Sequence, residues 1–177
     1  MARLRHRIAP GCTFFVTTKS SQSTALFQLH AAADIIIAKL LHYRDAGAYQ
    51  LHAFVLMPNH LHVLLTPSGI TSLEKAMQLI KGGSSHEIHK QLGGSMGIWQ
   101  SGFHEATIRD EADYLSKIRY IHQNPVAAGL ASNSTDWVWS SASSRYYLDP
   151  IPQGLKPMTQ ESLMSELKLR PPNGKSV

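Results

Sequence analysis

An α+β fold, strand–helix–strand–strand–helix–strand with one further helix behind it, is what this sequence predicts. Three observations lead there. Short runs rich in β-branched and aromatic residues alternate with longer runs whose apolar residues recur every three or four positions. Two of the strand runs, residues 49–57 and 60–66, are separated only by the turn dipeptide Pro58-Asn59. The chain has 177 residues, 43% of them hydrophobic, which suits one core and is too apolar for a disordered chain. The order is the ferredoxin-like βαββαβ pattern, an antiparallel sheet with its two main helices on one face, here extended by a C-terminal, tyrosine-bearing helix.

Element by element, Cys12–Lys19 (CTFFVTTK) has strand composition. Thr24 to about Arg44 reads as a helix, with apolar residues at 29, 32, 33, 36, 37, 40 and 41, ended by Asp45-Ala-Gly47. Tyr49–Met57 (YQLHAFVLM) is apolar on both faces and reads as a central strand. His60–Thr66 is its partner, and Ser72 to about Leu92 a second helix with Gly82-Gly83 as a candidate break. Gly102–Ile108 is a short strand. Asp110 is placed to cap a third helix, with Glu111 and Asp113 in its first turn, where the helix dipole favours acids. From about residue 131 the chain reads as irregular and rich in Ser and Trp, with a late short helix near Ser162–Leu169.

The formal net charge is +5, and the positive charge lies at the ends. Residues 1–33 hold Arg3, Arg5, Arg7 and Lys19 and no acid, whereas the body from 34 to 144 is close to neutral. A basic arm points to a polyanion such as nucleic acid, or serves only solubility. The single cysteine excludes an intramolecular disulfide. Neither a secretory leader nor a membrane span is legible, so a soluble cytoplasmic protein without a membrane partner is expected. The expected organisation is a basic arm at 1–10, one domain at 11–148 and a tail at 149–177.

His60 and His62 alternate with Leu61 and so share one face of their strand, while Leu61, Val63 and Leu65 share the other. Two imidazoles at this spacing can converge on a divalent metal, or simply face solvent. The third helix, DEADYLSKIRYIHQNPVAAGL from Asp110 to Leu130, has an apolar stripe through Tyr114, Ile118 and Ile121. Beside it runs a second stripe of Asp113, Lys117, Tyr120 and Asn124. If this helix crosses the histidine face, Tyr120 and Asn124 approach His60 and His62 together. Otherwise Tyr120 is a half-buried structural tyrosine. His122 projects about 200° from Tyr120 and is not chosen as a ligand. Pro125 follows Asn124 and disfavours helical geometry there, so Asn124 either joins the metal site or ends the helix. His86 and His89 fit a solvated face, and His52 and His104 half-buried strand positions.

MPNHLHVLL at Met57–Leu65, followed by YIHQNPVAAGL at Tyr120–Leu130, resembles the single-tyrosine HUH transposases, the IS200-like transposase domain. With WVWSSASSRYY at Trp137–Tyr147, the pattern looks most like the REP-associated tyrosine transposases. The resemblance spans roughly residues 8–150. It implies a divalent cation, Mg²⁺ or Mn²⁺, and single-stranded DNA carrying a hairpin as substrate. It implies His60 and His62 as the paired metal ligands, Asn124 as the polar residue that completes the metal site, and Tyr120 as the nucleophile forming a 5′-phosphotyrosine. Arg3, Arg5 and Arg7 fit DNA phosphate contacts, and Lys117 stands one turn from Tyr120. Trp137, Trp139, Tyr146 and Tyr147 fit either base stacking or core packing. The expected function is a metal-dependent single-strand endonuclease and strand transferase, acting as monomer or homodimer. The competing readings are a ferredoxin-like nucleic-acid-binding module without catalysis, and a metal-dependent hydrolase in which Tyr120 only orients substrate.

Overall fold

The computed structural model describes residues 11–152 and 155. Arg3, Arg5, Arg7 and the late helix at 162–169 lie outside them. The described elements are β1 (Phe14–Lys19), α1 (His30–Asp45), β2 (Tyr49–Met57), β3 (His60–Pro67), α2 (Leu73–Leu92), β4 (His104–Thr107) and α3 (Glu111–Ala127). The four strands form one antiparallel sheet in the order β2-β3-β1-β4. This is the βαββαβ topology the sequence predicts.

Strand alternation gives the sheet two different faces. Phe14, Val16, Leu51, Phe54, Leu56, Leu61, Val63 and Leu65 join Ala33, Ile36 and Leu40 of α1 and Ala76, Met77 and Ile80 of α2 in one apolar cluster. A smaller cluster on the other face joins Ala53, Val55, Met57 and Leu64 to Ile108 and to Tyr114 and Ile121 of α3. A register shift between Leu51 and Ala53 makes His52 a β-bulge residue. His52 is buried, its Nε2 2.9 Å from Thr66 Oγ1, instead of half-buried as expected.

Three further expectations are corrected. Tyr49–Met57 reads as central but ends the strand order. Both its faces are covered by helices, and its outer edge is covered by the stretch after residue 136. Leu56 N–H donates to Trp139 O (2.9 Å), Ser141 N–H to Phe54 O (2.9 Å) and Asp149 N–H to Leu51 O (3.0 Å). An edge strand masked in this way needs no polar face. Second, the first helix begins at His30, not Thr24. Ser21–Ser23 and Leu26–Gln28 are 3₁₀ turns, and Phe27 N–H donates to Pro58 O instead of into a helix. Third, α2 passes through Gly82-Gly83 unbroken. A Cβ on Gly83 would lie 2.3 Å from Tyr43 Oη, so this glycine serves the close packing of α1 on α2. Of the two readings left open for Asn124, the helix-ending one does not hold: α3 continues through Asn124 and Pro125 to Ala127. Leu130 N–H donates to Pro125 O and Gly129 N–H to Val126 O, a Schellman closure with Gly129 at φ +69°.

Candidate active site

β3 carries His60 and His62 on the α3 face, as the alternation predicts. Their ring centroids are 4.6 Å apart. His60 Nδ1 lies 2.7 Å from Asn59 Oδ1, an acceptor, so Nδ1 carries the proton and the Nε2 lone pair is free. His62 Nδ1 lies 2.7 Å from Thr17 Oγ1 on the neighbouring β1, where Thr17 is the direct cross-strand partner. Burial depresses both imidazoles' pKa values. Lys19, the cross-strand partner of His60, adds to its shift, and His60 adds to that of His62, which falls to about 3. Both rings are therefore neutral near pH 7, the protonation state that ligates metal.

α3 crosses this face with its buried residues Ala112, Tyr114, Ile121 and Pro125 down. Its start is fixed by Asp110, whose side chain accepts from Asp113 N–H at 2.8 Å. Tyr120 lands edge-on to His62, with centroids 5.4 Å apart, and remains 51% exposed. Phe15 of β1 holds the pair together, stacked on His62 at 5.3 Å and edge-on to Tyr120 at 5.7 Å. Lys117 Nζ sits 5.3 Å over the Phe15 ring. Asn124, one turn beyond Tyr120 on the same side of the helix, is partly buried. Tyr114, the other tyrosine of α3, is buried, and that burial pushes its pKa up to about 12.

The histidines and Tyr120 thus stand together, with Lys117 one aromatic ring away. Among the described residues no group of three His, Cys, Asp or Glu forms a metal cluster; Asn124 is a carboxamide on the helix that carries Tyr120. Two neutral imidazoles and a carboxamide are donor types that a divalent cation would accept.

Sequence reasoning missed Thr17, Asn59, Phe15 and Lys19. Asn59 was hidden as a turn residue. The three on β1 alternate onto the same face as the histidines, a signal that is readable once the strand pairing is known. The aromatic residues of the C-terminal stretch serve the fold. Trp137 Nε1–H donates to Leu56 O, Trp139 Nε1–H to Asp34 Oδ1 and Tyr146 O–H to Val138 O, while Tyr147 is exposed. His104 is exposed instead of half-buried, and His89 Nε2 bonds Met96 O.

A sheet with paired histidines and a solvent-reachable phenol facing one another defines a candidate phosphoryl-transfer site. The family model described as "Transposase IS200 like" matches residues 16–124, and the chain belongs to that family, whose members are DNA-cleaving enzymes. The REP-associated tyrosine transposase of Escherichia coli (strain K12) is 29% identical over 138 residues, covering 77% of this chain and 79% of that protein. A Haemophilus influenzae relative is 28% identical over 103 residues, 52% of this chain and 58% of its own length. A solved structure of a REP-associated tyrosine transposase bound to a REP hairpin superposes with a TM-score of 0.66 at 25% identity, over 85% of this chain and 92% of that one. Among the described residues no helix is long and apolar enough to cross a membrane.

Proposed function

We propose that this chain is a REP-type single-tyrosine transposase that cuts and rejoins hairpin-bearing single-stranded DNA through Tyr120. The observation that carries the reading is the edge-on contact of Tyr120 with His62, which in turn lies edge-on to His60. His60, His62 and Asn124 would hold a divalent cation, Mg²⁺ or Mn²⁺. When bound, such a cation supplies Lewis-acid polarisation of the scissile phosphate.

The chain's own groups do the rest. Asn59 and Thr17 fix the two imidazoles through Nδ1, which directs the remaining nitrogens toward the shared face. Tyr120 Oη attacks phosphorus and forms the tyrosyl–phosphate bond as the bond to the 3′ oxygen breaks. The phenol releases its proton to solvent, and the departing oxygen takes one up as a free 3′-hydroxyl. Lys117, over the Phe15 ring, and Lys19, opposite His60, would contact phosphate, as would Arg3, Arg5 and Arg7 of the N-terminal arm. Because the covalent ester keeps the phosphodiester's energy, a second 3′-hydroxyl reverses the step on a new strand and joins DNA without a nucleotide cofactor. A cytoplasmic setting and a monomer or homodimer agree with this chemistry. We take 11–148 as the working domain, 1–10 as its arm and 149–177 as a tail.

The test is direct. Labelled single-stranded hairpin DNA is incubated with Mn²⁺ and run on a denaturing gel. The wild-type protein is expected to give a covalent band, and Tyr120→Phe none, with unchanged hairpin affinity and melting temperature. Cut DNA without a covalent band selects a hydrolase. A gel shift without cutting selects a binding module.

A further inference from the structure

His122 lies two residues from Tyr120 and points away from the paired histidines, yet it is tied to the sheet. Its Nε2 is 2.9 Å from Ser141 Oγ. Ser141 is in turn anchored on β2: its N–H donates to Phe54 O at 2.9 Å, its Oγ accepts Phe54 N–H at 3.0 Å, and its Oγ–H donates to Phe54 O at 3.1 Å. A hydroxyl has one proton and two lone pairs. With the proton directed to Phe54 O and one lone pair to Phe54 N–H, the remaining lone pair accepts from His122. His122 is therefore the Nε2–H donor.

We propose that His122 is a positioning residue: its bond to Ser141 fixes the rotation of α3 about its own axis and so places the Tyr120 hydroxyl against the histidine pair. The proposal rests on the assignment of Tyr120 as nucleophile. On the helical wheel, Tyr120 and His122 flank the buried Ile121 by about 100° on either side. The apolar stripe that seats α3 is held by a non-directional force, which tolerates a small roll of the helix. A hydrogen bond to an immobile acceptor does not. A roll of about 10° moves a side chain by about 1 Å at the helix's outer radius of about 5–6 Å. A misplacement of that size costs roughly 100-fold in rate.

The experiment measures single-turnover formation of the covalent adduct, at saturating Mn²⁺ and saturating concentrations of a labelled DNA hairpin that the wild-type protein cuts. His122→Phe keeps a ring and loses the donor. It is expected to slow adduct formation about 10- to 100-fold while hairpin Kd stays within about twofold. His122→Gln, whose amide nitrogen can replace Nε2, is expected to restore most of the rate. His122→Asn, too short to reach Ser141, is expected to be slow and serves if the Phe variant does not fold. In combination with Ser141→Ala, His122→Phe should add little to the loss that Ser141→Ala already causes. A wild-type rate in His122→Phe or His122→Asn overturns the proposal. So does a parallel fall in rate, hairpin affinity and melting temperature that Gln does not restore, since that marks a merely structural contact. Tyr120→Phe separates the two claims. An adduct persisting there removes the nucleophile assignment, whereas no adduct there with a wild-type rate in His122→Phe removes the positioning role alone.

Discussion

The two faces of the sheet differ in what they ask of the same strands, and β3 shows it residue by residue. Leu61, Val63 and Leu65 are fully buried under α1 and α2. His60 and His62 point the other way, beneath a single helix whose cluster is much smaller and whose tyrosine reaches solvent. One face contributes stability through close packing. The other leaves donors, a phenol and an opening for a substrate. A strand with period two keeps these jobs apart with no sequence distance between them.

The sharpest way to break that division is on β3 itself. Replacing His60 and His62 together by Ala is expected to abolish adduct formation and weaken Mn²⁺ binding, measured by titration, with hairpin affinity retained. Undiminished cleavage in EDTA would sink the metal role. Leu61→Ala, on the other side of the strand between them, should do the reverse. It is expected to cost about 2–5 kcal/mol in urea unfolding, with the adduct rate per folded molecule unchanged.

Asn124 tests whether α3 contributes a ligand or only a helix end. Asn124→Ala is expected to raise the Mn²⁺ concentration needed for half-maximal cleavage about tenfold, and Asn124→Asp to retain metal binding through its oxygen. A lowered melting temperature with unchanged Mn²⁺ dependence would leave Asn124 a purely structural residue. A further effect is in acid. His52, His60, His62 and His122 all have pKa values lowered by burial. Unfolded, they titrate near 6.5, so below that pH the unfolded chain binds more protons and stability falls, for His62 down to about pH 3. For His62 the slope is up to about 1.4 kcal/mol per pH unit between those limits. In metal-free buffer, His62→Gln should flatten the loss between pH 6.5 and 5. An unaltered slope would mean that His62 is not held neutral by burial.

The sequence was most legible where period and punctuation agree. The bounds of Tyr49–Met57 are read without error because Gly47 precedes the strand and Pro58-Asn59 follows it, and the capping of α3 by Asp110 is read from its acidic first turn. The histidine pair and Tyr120 are legible because each falls out of a simple period. What was not legible depends on partners remote in sequence. Gly83 looks like a break until Tyr43 is seen against it, and Asn124-Pro125 looks like a stop until Pro125 is seen buried under the helix. The stretch after Asp136 reads as irregular because a segment that covers a strand edge with scattered hydrogen bonds has no period of its own. Thr17 and Asn59 carry no motif, since fixing an imidazole needs only an oxygen in the right place.

The covered edge of β2 also has a consequence in time. β2 is translated by residue 57, and the residues that mask its outer edge, Trp139, Ser141 and Asp149, come only near the end of the described chain. At about 5–20 residues per second, the intervening stretch of about eighty residues takes roughly 4–16 s to make. For that interval the nascent sheet presents an apolar strand with unpaired N–H and C=O groups, the template on which chains join edge to edge. Crowded ribosomes translating one message would hold several such strands within reach of each other, so faster arrival of the stretch from Trp139 to Asp149 is expected to raise the yield of folded protein.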